Sequence, residues 1–133
     1  MDMSSFSLEG KIALITGASY GIGMAIAKGM AAAGATIVFN DIKQELVDKG
    51  LAAYEEAGIK AHGYVCDVTN EDAVNELVAK IEAEVGVIDI LVNNAGISMR
   101  ALFEDLELDV IRRLMDVNFW GTVYCTKFAL PYI

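Results

Sequence analysis

The stretch from Lys11 to Gly23, Lys-Ile-Ala-Leu-Ile-Thr-Gly-Ala-Ser-Tyr-Gly-Ile-Gly, leaves this chain few ways to fold. Ile12, Leu14 and Ile15 make a short apolar run that stops at Thr16-Gly17, the length of a strand buried on both faces. Glycines follow at 17, 21 and 23, and a helical pattern opens directly behind them. A strand that turns on glycines into a helix presents unpaired backbone N–H groups, and the helix dipole favours negative charge there. Glycine also lets a pyrophosphate come close without meeting a Cβ. A glycine turn that binds nothing is the plainer alternative, and the fingerprint gains meaning only inside a βαβ unit.

The rest of the chain predicts such units. Strand one is about Lys11 to Thr16, and helix A runs from about Gly21 to Ala33 with Ile22, Ala25, Ile26, Gly29 and Met30 on one face. Gly34 ends it as a C-terminal cap. Strand two is Thr36 to Asn40, closing on Asp41, and helix B spans about Gln44 to Ala57 up to Gly58. Strand three is about Lys60 to Val65. Thr69 or Asn70 can cap helix C, whose apolar stripe is Val74, Leu77, Val78, Ile81 and Val85 and whose stop is Gly86. Strand four is Ile88 to Val92, then the turn Asn93-Asn94-Ala95-Gly96, a loop with a short helix, and a last long helix from about Asp109 to Tyr132. This alternation predicts one α/β domain, a Rossmann-like doubly wound parallel sheet in the order 3-2-1-4. Its crevice would open between strands one and four, beside the glycine turn and Asn93–Gly96.

Charge and composition narrow the partners. A net charge of −9, with no cluster of Lys and Arg, argues against nucleic acid or an anionic membrane surface. The N-terminal Met-Asp-Met-Ser-Ser lacks a basic region followed by an apolar run, and Lys28 and Lys127 interrupt the best candidates for a membrane span. Cys66 and Cys125 lie far apart and form no CxxC, which fits free thiols in a cytoplasmic protein. His62 has no His or Cys at ligand spacing, so no metal site is expected.

The spacing Thr16-Gly17-x-x-x-Gly21-x-Gly23 resembles the cofactor loop of the short-chain dehydrogenase/reductase family. Three later matches extend the resemblance over nearly the whole chain: Asp67-Val68 after strand three, Asn93-Asn94-Ala95-Gly96 after strand four, and Asn118 in the last long helix. The resemblance implies an oxidoreductase that moves hydride between a nicotinamide dinucleotide and an alcohol or ketone. Gly17, Ser19, Tyr20, Gly21, Ile22 and Gly23 would then hold the cofactor, with Asp67 and Val68 against the adenine. Asn94, Ala95 and Gly96 would line the crevice and steady the sheet. Asn118 would kink its helix and hold a water of a proton relay, a catalytic role by resemblance.

Asp41 stands 18 residues beyond Gly23, close to the spacing of an acid that accepts hydrogen bonds from the adenosine ribose. Its charge would repel a 2′-phosphate, and Ile42 and Tyr20 occupy the places where family members using NADP tend to put a base. NAD is therefore expected ahead of NADP. Plainer readings stand beside each residue: a cap on helix B for Asp41, a first-turn acid of helix C for Asp67, a structural kink for Asn118. Phe119, Trp120, Tyr124 and Phe128 recur at helical spacing and read as core or as a face between subunits of a homo-oligomer.

The texts Val38-Phe39-Asn40-Asp41-Ile42 and His62-Gly63-Tyr64-Val65-Cys66-Asp67-Val68 are most similar to bacterial family members that interconvert gluconate and 5-ketogluconate. A polyol or sugar acid, or another alcohol or ketone, is the implied substrate. One departure is large: the family's catalytic Ser and Tyr-x-x-x-Lys have no counterpart, since Tyr124 and Lys127 are three apart and misplaced. The chain is thus expected to be one dinucleotide-binding domain over residues 1–133, truncated before that segment and inactive alone. A non-catalytic dinucleotide-binding module is the rival reading. An S-adenosylmethionine methyltransferase also uses a glycine loop and an acid after strand two, but the Gly17-to-Gly21 gap and the Asn-Asn-Ala-Gly turn disfavour it.

Overall fold

β1 (Ile12–Thr16) has a parallel neighbour on each side, β2 (Thr36–Asp41) and β4 (Ile90–Val92), and β3 (His62–Val65) extends the sheet beyond β2. The computed structural model, which describes residues 2–133, therefore has the expected order β3-β2-β1-β4. Three helices make the crossovers: α1 (Gly21–Ala32), α2 (Gln44–Glu56) and α3 (Glu71–Glu84). α4 (Leu108–Met115) and α5 (Gly121–Ala129) follow β4. Among the described residues, no helix is long and apolar enough to cross a membrane.

Successive strand side chains point to opposite faces, which explains why the strand sequences are apolar without alternation. Ala13, Ile15, Ile37 and Phe39 pack with Ala27 of α1 and with Val47 and Tyr54 of α2. Leu14 and Val38 point the other way, into a second cluster with Val74, Leu77 and Ile81 of α3 and Cys125 and Ala129 of α5. β1 thus contributes side chains to both layers.

Four local details differ from the sequence expectations. α1 buries Gly23 and Ala27, and Ile22 is left 77% exposed. The small residues let the helix lie close to the sheet, and that rotation turns Ile22 outward. β4 starts at Ile90 rather than Ile88, because Asp89 takes over the first rung. Its carboxylate accepts the Ile12 N–H at 2.9 Å, while its own N–H donates to the Ile12 carbonyl at 2.9 Å. The last long helix is not uniform: a π-helical turn, Asp116–Trp120, joins α4 to α5, and a 3₁₀ turn, Leu130–Tyr132, ends it. Pro131 has no N–H to continue an α ladder. Phe119 and Trp120 are 49% and 44% exposed, so the core reading does not hold for them.

Candidate functional site

The site begins where β1 stops. Thr16 is buried, and its hydroxyl oxygen accepts the N–H groups of Asn94 at 3.0 Å and Ala95 at 2.9 Å. The Asn94 amide donates back to the Thr16 carbonyl at 3.0 Å and the Gly17 carbonyl at 3.2 Å. The turn after β4 is thereby clamped onto the turn after β1. Gly17 has φ +64°, and a Cβ there would come within 2.9 Å of the Ala95 Cα. Only glycine meets both demands. Gly23 is confined too, since a Cβ would strike the Asn94 amide nitrogen and Ala18.

A cleft of about 380 Å³ opens above this junction. Gly17, Tyr20, Gly21, Ile22 and Gly23 form one wall. Asp41, Asp67 and Val68 form the next, and Asn94, Ala95 and Gly96 close the third. Of the residues expected to touch a cofactor, only Ser19 is outside the lining: it is buried beneath the loop, and its hydroxyl has no partner. No side chain caps the start of α1, and its first turn carries no acid. The N–H groups at that end are free for an anion.

Asp41 keeps its carboxylate at the cleft: one oxygen accepts the Ile42 N–H at 2.8 Å, and Lys43, at the N-cap position of α2, makes no side-chain cap. The capping alternative for Asp41 therefore fails. Asp67 accepts from both the N–H and the hydroxyl of Thr69, at 2.9 and 2.8 Å, in a turn that leads into α3. Asn70 is the cap, accepting the Ala73 N–H at 3.0 Å. Asn118 does not line the cleft. Its side-chain oxygen accepts the Ile97 N–H at 2.9 Å, and its amide donates to the Ile97 carbonyl at 2.8 Å. It thus ties the π-helical turn to the segment after Gly96, and π turns often mark functional positions.

Sequence reasoning missed four contributors. Thr16 stands in the sequence as a strand end and as the first residue of the glycine motif, with nothing to mark its hydroxyl as the acceptor for Asn94 and Ala95. Asn40 lines the cleft and donates to the Cys66 carbonyl at 3.2 Å, while its own oxygen is buried without a partner. Cys66 also lines it, its thiol pushed up to about 11 by burial and then by the Asp67 charge. Arg113 is the one cation among the described lining residues, facing a cleft whose other charges are Asp41 and Asp67. It stands one helical turn before Val117, another lining residue, so helical period was the available signal.

The chain is 49% identical over 131 residues to a 2-dehydro-3-deoxy-D-gluconate 5-dehydrogenase of Formosa agariphila, covering 98% of this chain and 50% of that protein. It superposes with a TM-score of 0.87 on a 2-keto-3-deoxy-D-gluconate dehydrogenase from Streptococcus agalactiae, at 60% identity over 98% of this chain and 49% of that one. A gluconate 5-dehydrogenase from Burkholderia cenocepacia, solved with NADP and tartrate, gives a TM-score of 0.89 at 40% identity over 97% of this chain and 51% of that one. The chain thus spans about half the length of the proteins it matches. The family model described as short chain dehydrogenase matches residues 11–133, and the chain belongs to the short-chain dehydrogenase family.

Proposed function

We propose that these residues are the cofactor-holding half of an NAD(P)-dependent oxidoreductase that acts on an alcohol or ketone. One observation carries the reading: an uncapped helix start, a carboxylate and a glycine-bearing turn surround a single cleft at the crossover between β1 and β4. Their chemistry fits a dinucleotide. The free N–H groups at the start of α1 suit a diphosphate. The Asp41 carboxylate suits two ribose hydroxyls. Asp67 and Val68 would border the adenine, and Asn94 to Gly96 the half nearer the reaction. Asn118, in the π-helical turn, would hold the water of a proton relay, as the family resemblance implies.

The dinucleotide, when bound, supplies or takes the hydride. The chain's own residues bind it, orient it and exclude water along one side. The Ser and Tyr-x-x-x-Lys of the family are not among these residues, so the 133-residue chain is proposed to bind without turnover. Asp41 favours NAD, while the Burkholderia relative was solved with NADP. For the substrate we favour gluconate and its keto acids, supported by the sugar-acid names of the three relatives described above. The exposed rings of Phe119 and Trp120 suit a homo-oligomer built through the last helix, in a cytoplasmic protein.

Calorimetric titration of the folded chain with NADH, NADPH and S-adenosylmethionine tests the reading. Heat with a nicotinamide dinucleotide alone supports it. Silence with both dinucleotides at millimolar dose, or heat with S-adenosylmethionine alone, refutes it. Turnover of gluconate or 5-ketogluconate by this chain would refute the cofactor-half assignment.

A further inference from the structure

Tyr54 lies in the last turn of α2 and is fully buried. Its hydroxyl donates to the Ala18 carbonyl at 2.6 Å, across 36 residues of sequence. A buried phenol hydroxyl without a partner would be strongly disfavoured, and here the partner is the glycine loop itself. One helical turn earlier, Gly50 brings the α2 backbone onto the same place. A Cβ on Gly50 would come 3.0 Å from the Ser19 Cα and 3.0 Å from the Phe39 ring. Phe39 in turn packs against Tyr54, ring centroids 5.0 Å apart. Two positions on one face of α2 therefore grip one dipeptide, Ala18-Ser19.

That dipeptide is the underside of the loop whose upper side is the cleft. Gly17 and Gly21, which flank it, both have positive φ and no Cβ to restrain them. A loop hinged on two glycines loses much freedom when it orders, and a ligand that orders it binds more weakly. The peptide unit is planar and trans, so a carbonyl held toward Tyr54 sends the Ser19 N–H the opposite way. We propose that Tyr54 is a positioning residue for the dinucleotide site: its hydroxyl supplies the restraint the glycines lack and presets the loop before the cofactor arrives. This rests on the reading of the cleft as a dinucleotide site.

The test uses the whole chain with Tyr54→Phe, which keeps the ring and removes the donor. NADH affinity by calorimetry and amide exchange by NMR are read well below the unfolding temperature. Tyr54→Phe is expected to weaken NADH about fivefold. It should also speed exchange at Ser19 to Gly23 while the α3 amides keep their rates. A lower unfolding temperature with unchanged NADH affinity and unchanged loop exchange would mean a purely structural tyrosine and would overturn the proposal. If wild type binds no NADH, the cofactor reading fails, and the exchange comparison still decides whether Tyr54 orders the loop. Should Tyr54→Phe not fold, Gly50→Ala pushes on the Ser19 backbone with Tyr54 intact. Weaker NADH binding together with faster exchange at Ser19 to Gly23 supports a loop preset from α2, and unchanged affinity with unchanged loop exchange overturns it.

Discussion

Thr16 and Asn94 hold each other through two opposed hydrogen bonds, backbone N–H to side-chain oxygen and side-chain amide to backbone carbonyl, each 3.0 Å. They join the carboxyl ends of β1 and β4, the two strands between which the sheet reverses its winding. The Thr16 hydroxyl also serves Ala95, so a single buried oxygen satisfies two N–H groups. Thr16→Val keeps the shape and removes that acceptor. Leaving buried donors unpaired costs about 1–3 kcal/mol, and urea unfolding should show a loss of that size. An unchanged midpoint would mean that water replaces the hydroxyl.

Asp41 has one oxygen committed to the Ile42 N–H and its carboxylate at the cleft. Hydrogen bonds to a charged acceptor contribute about 1.5–3 kcal/mol. Asp41→Ala is therefore expected to weaken NADH by about tenfold or more and to leave NADPH unchanged or tighter, because the charge facing a 2′-phosphate is gone. Parallel titrations with the two dinucleotides measure this. Equal losses for both would remove Asp41 from cofactor choice.

How much of this site could be read from residues alone depends on range. The glycine turn, the acid after β2 and the turn after β4 are local, each a few residues at a strand end, and strand-end position follows from the β-α alternation. The rotation of α1 was not legible, because apolar residues stand on several sides of that helix and packing against Ala18 and Asn94 decides which side is buried. Asp89 falls inside the apolar run read as strand four, and the use of its carboxylate at the first rung depends on Ile12, 77 residues away. A kink at Asn118 is what the family resemblance implies, but its π-helical form and the tie from Asn118 to Ile97, 21 residues earlier, have no local signal. Tyr54 and Arg113 carry no local signal for the same reason, since neither belongs to a motif and each reaches the site from the far end of a helix.

Arg113 is the cation of a cleft that otherwise holds two carboxylates. A dinucleotide brings negative charge, and a guanidinium at the rim attracts it through solvent, where salt screens the attraction. Arg113→Ala should weaken NADH several-fold in dilute buffer and flatten the dependence of its dissociation constant on ionic strength. Titrations across a salt series check this. An identical slope in wild type and variant would assign Arg113 to packing alone.

Alkali should unfold this domain early, and the order of events is predictable. Burial raises Cys66 to about 11 and Cys125 to about 12, against an ordinary 9, with Asp67 and Cys66 as the respective lesser causes. Tyr54 rises from 10 to about 12 through burial, and Tyr64 to about 12 through burial and then its hydrogen bond to Glu84. Each is an acid whose folded form holds its proton more tightly than the unfolded chain does. The stability this represents is complete below pH 9, where all four are protonated in both states, and is lost as pH rises toward 12. The unfolded chain sheds the thiol protons first, so urea midpoints should start falling near pH 9 and fall faster past pH 10, when the tyrosines join. Replacing both cysteines by alanine should delay the onset to about pH 10, since only the phenols remain to ionise. Midpoints that stay level from pH 8 to 11 in the wild type would mean that these groups ionise as readily in the folded chain as in the unfolded one.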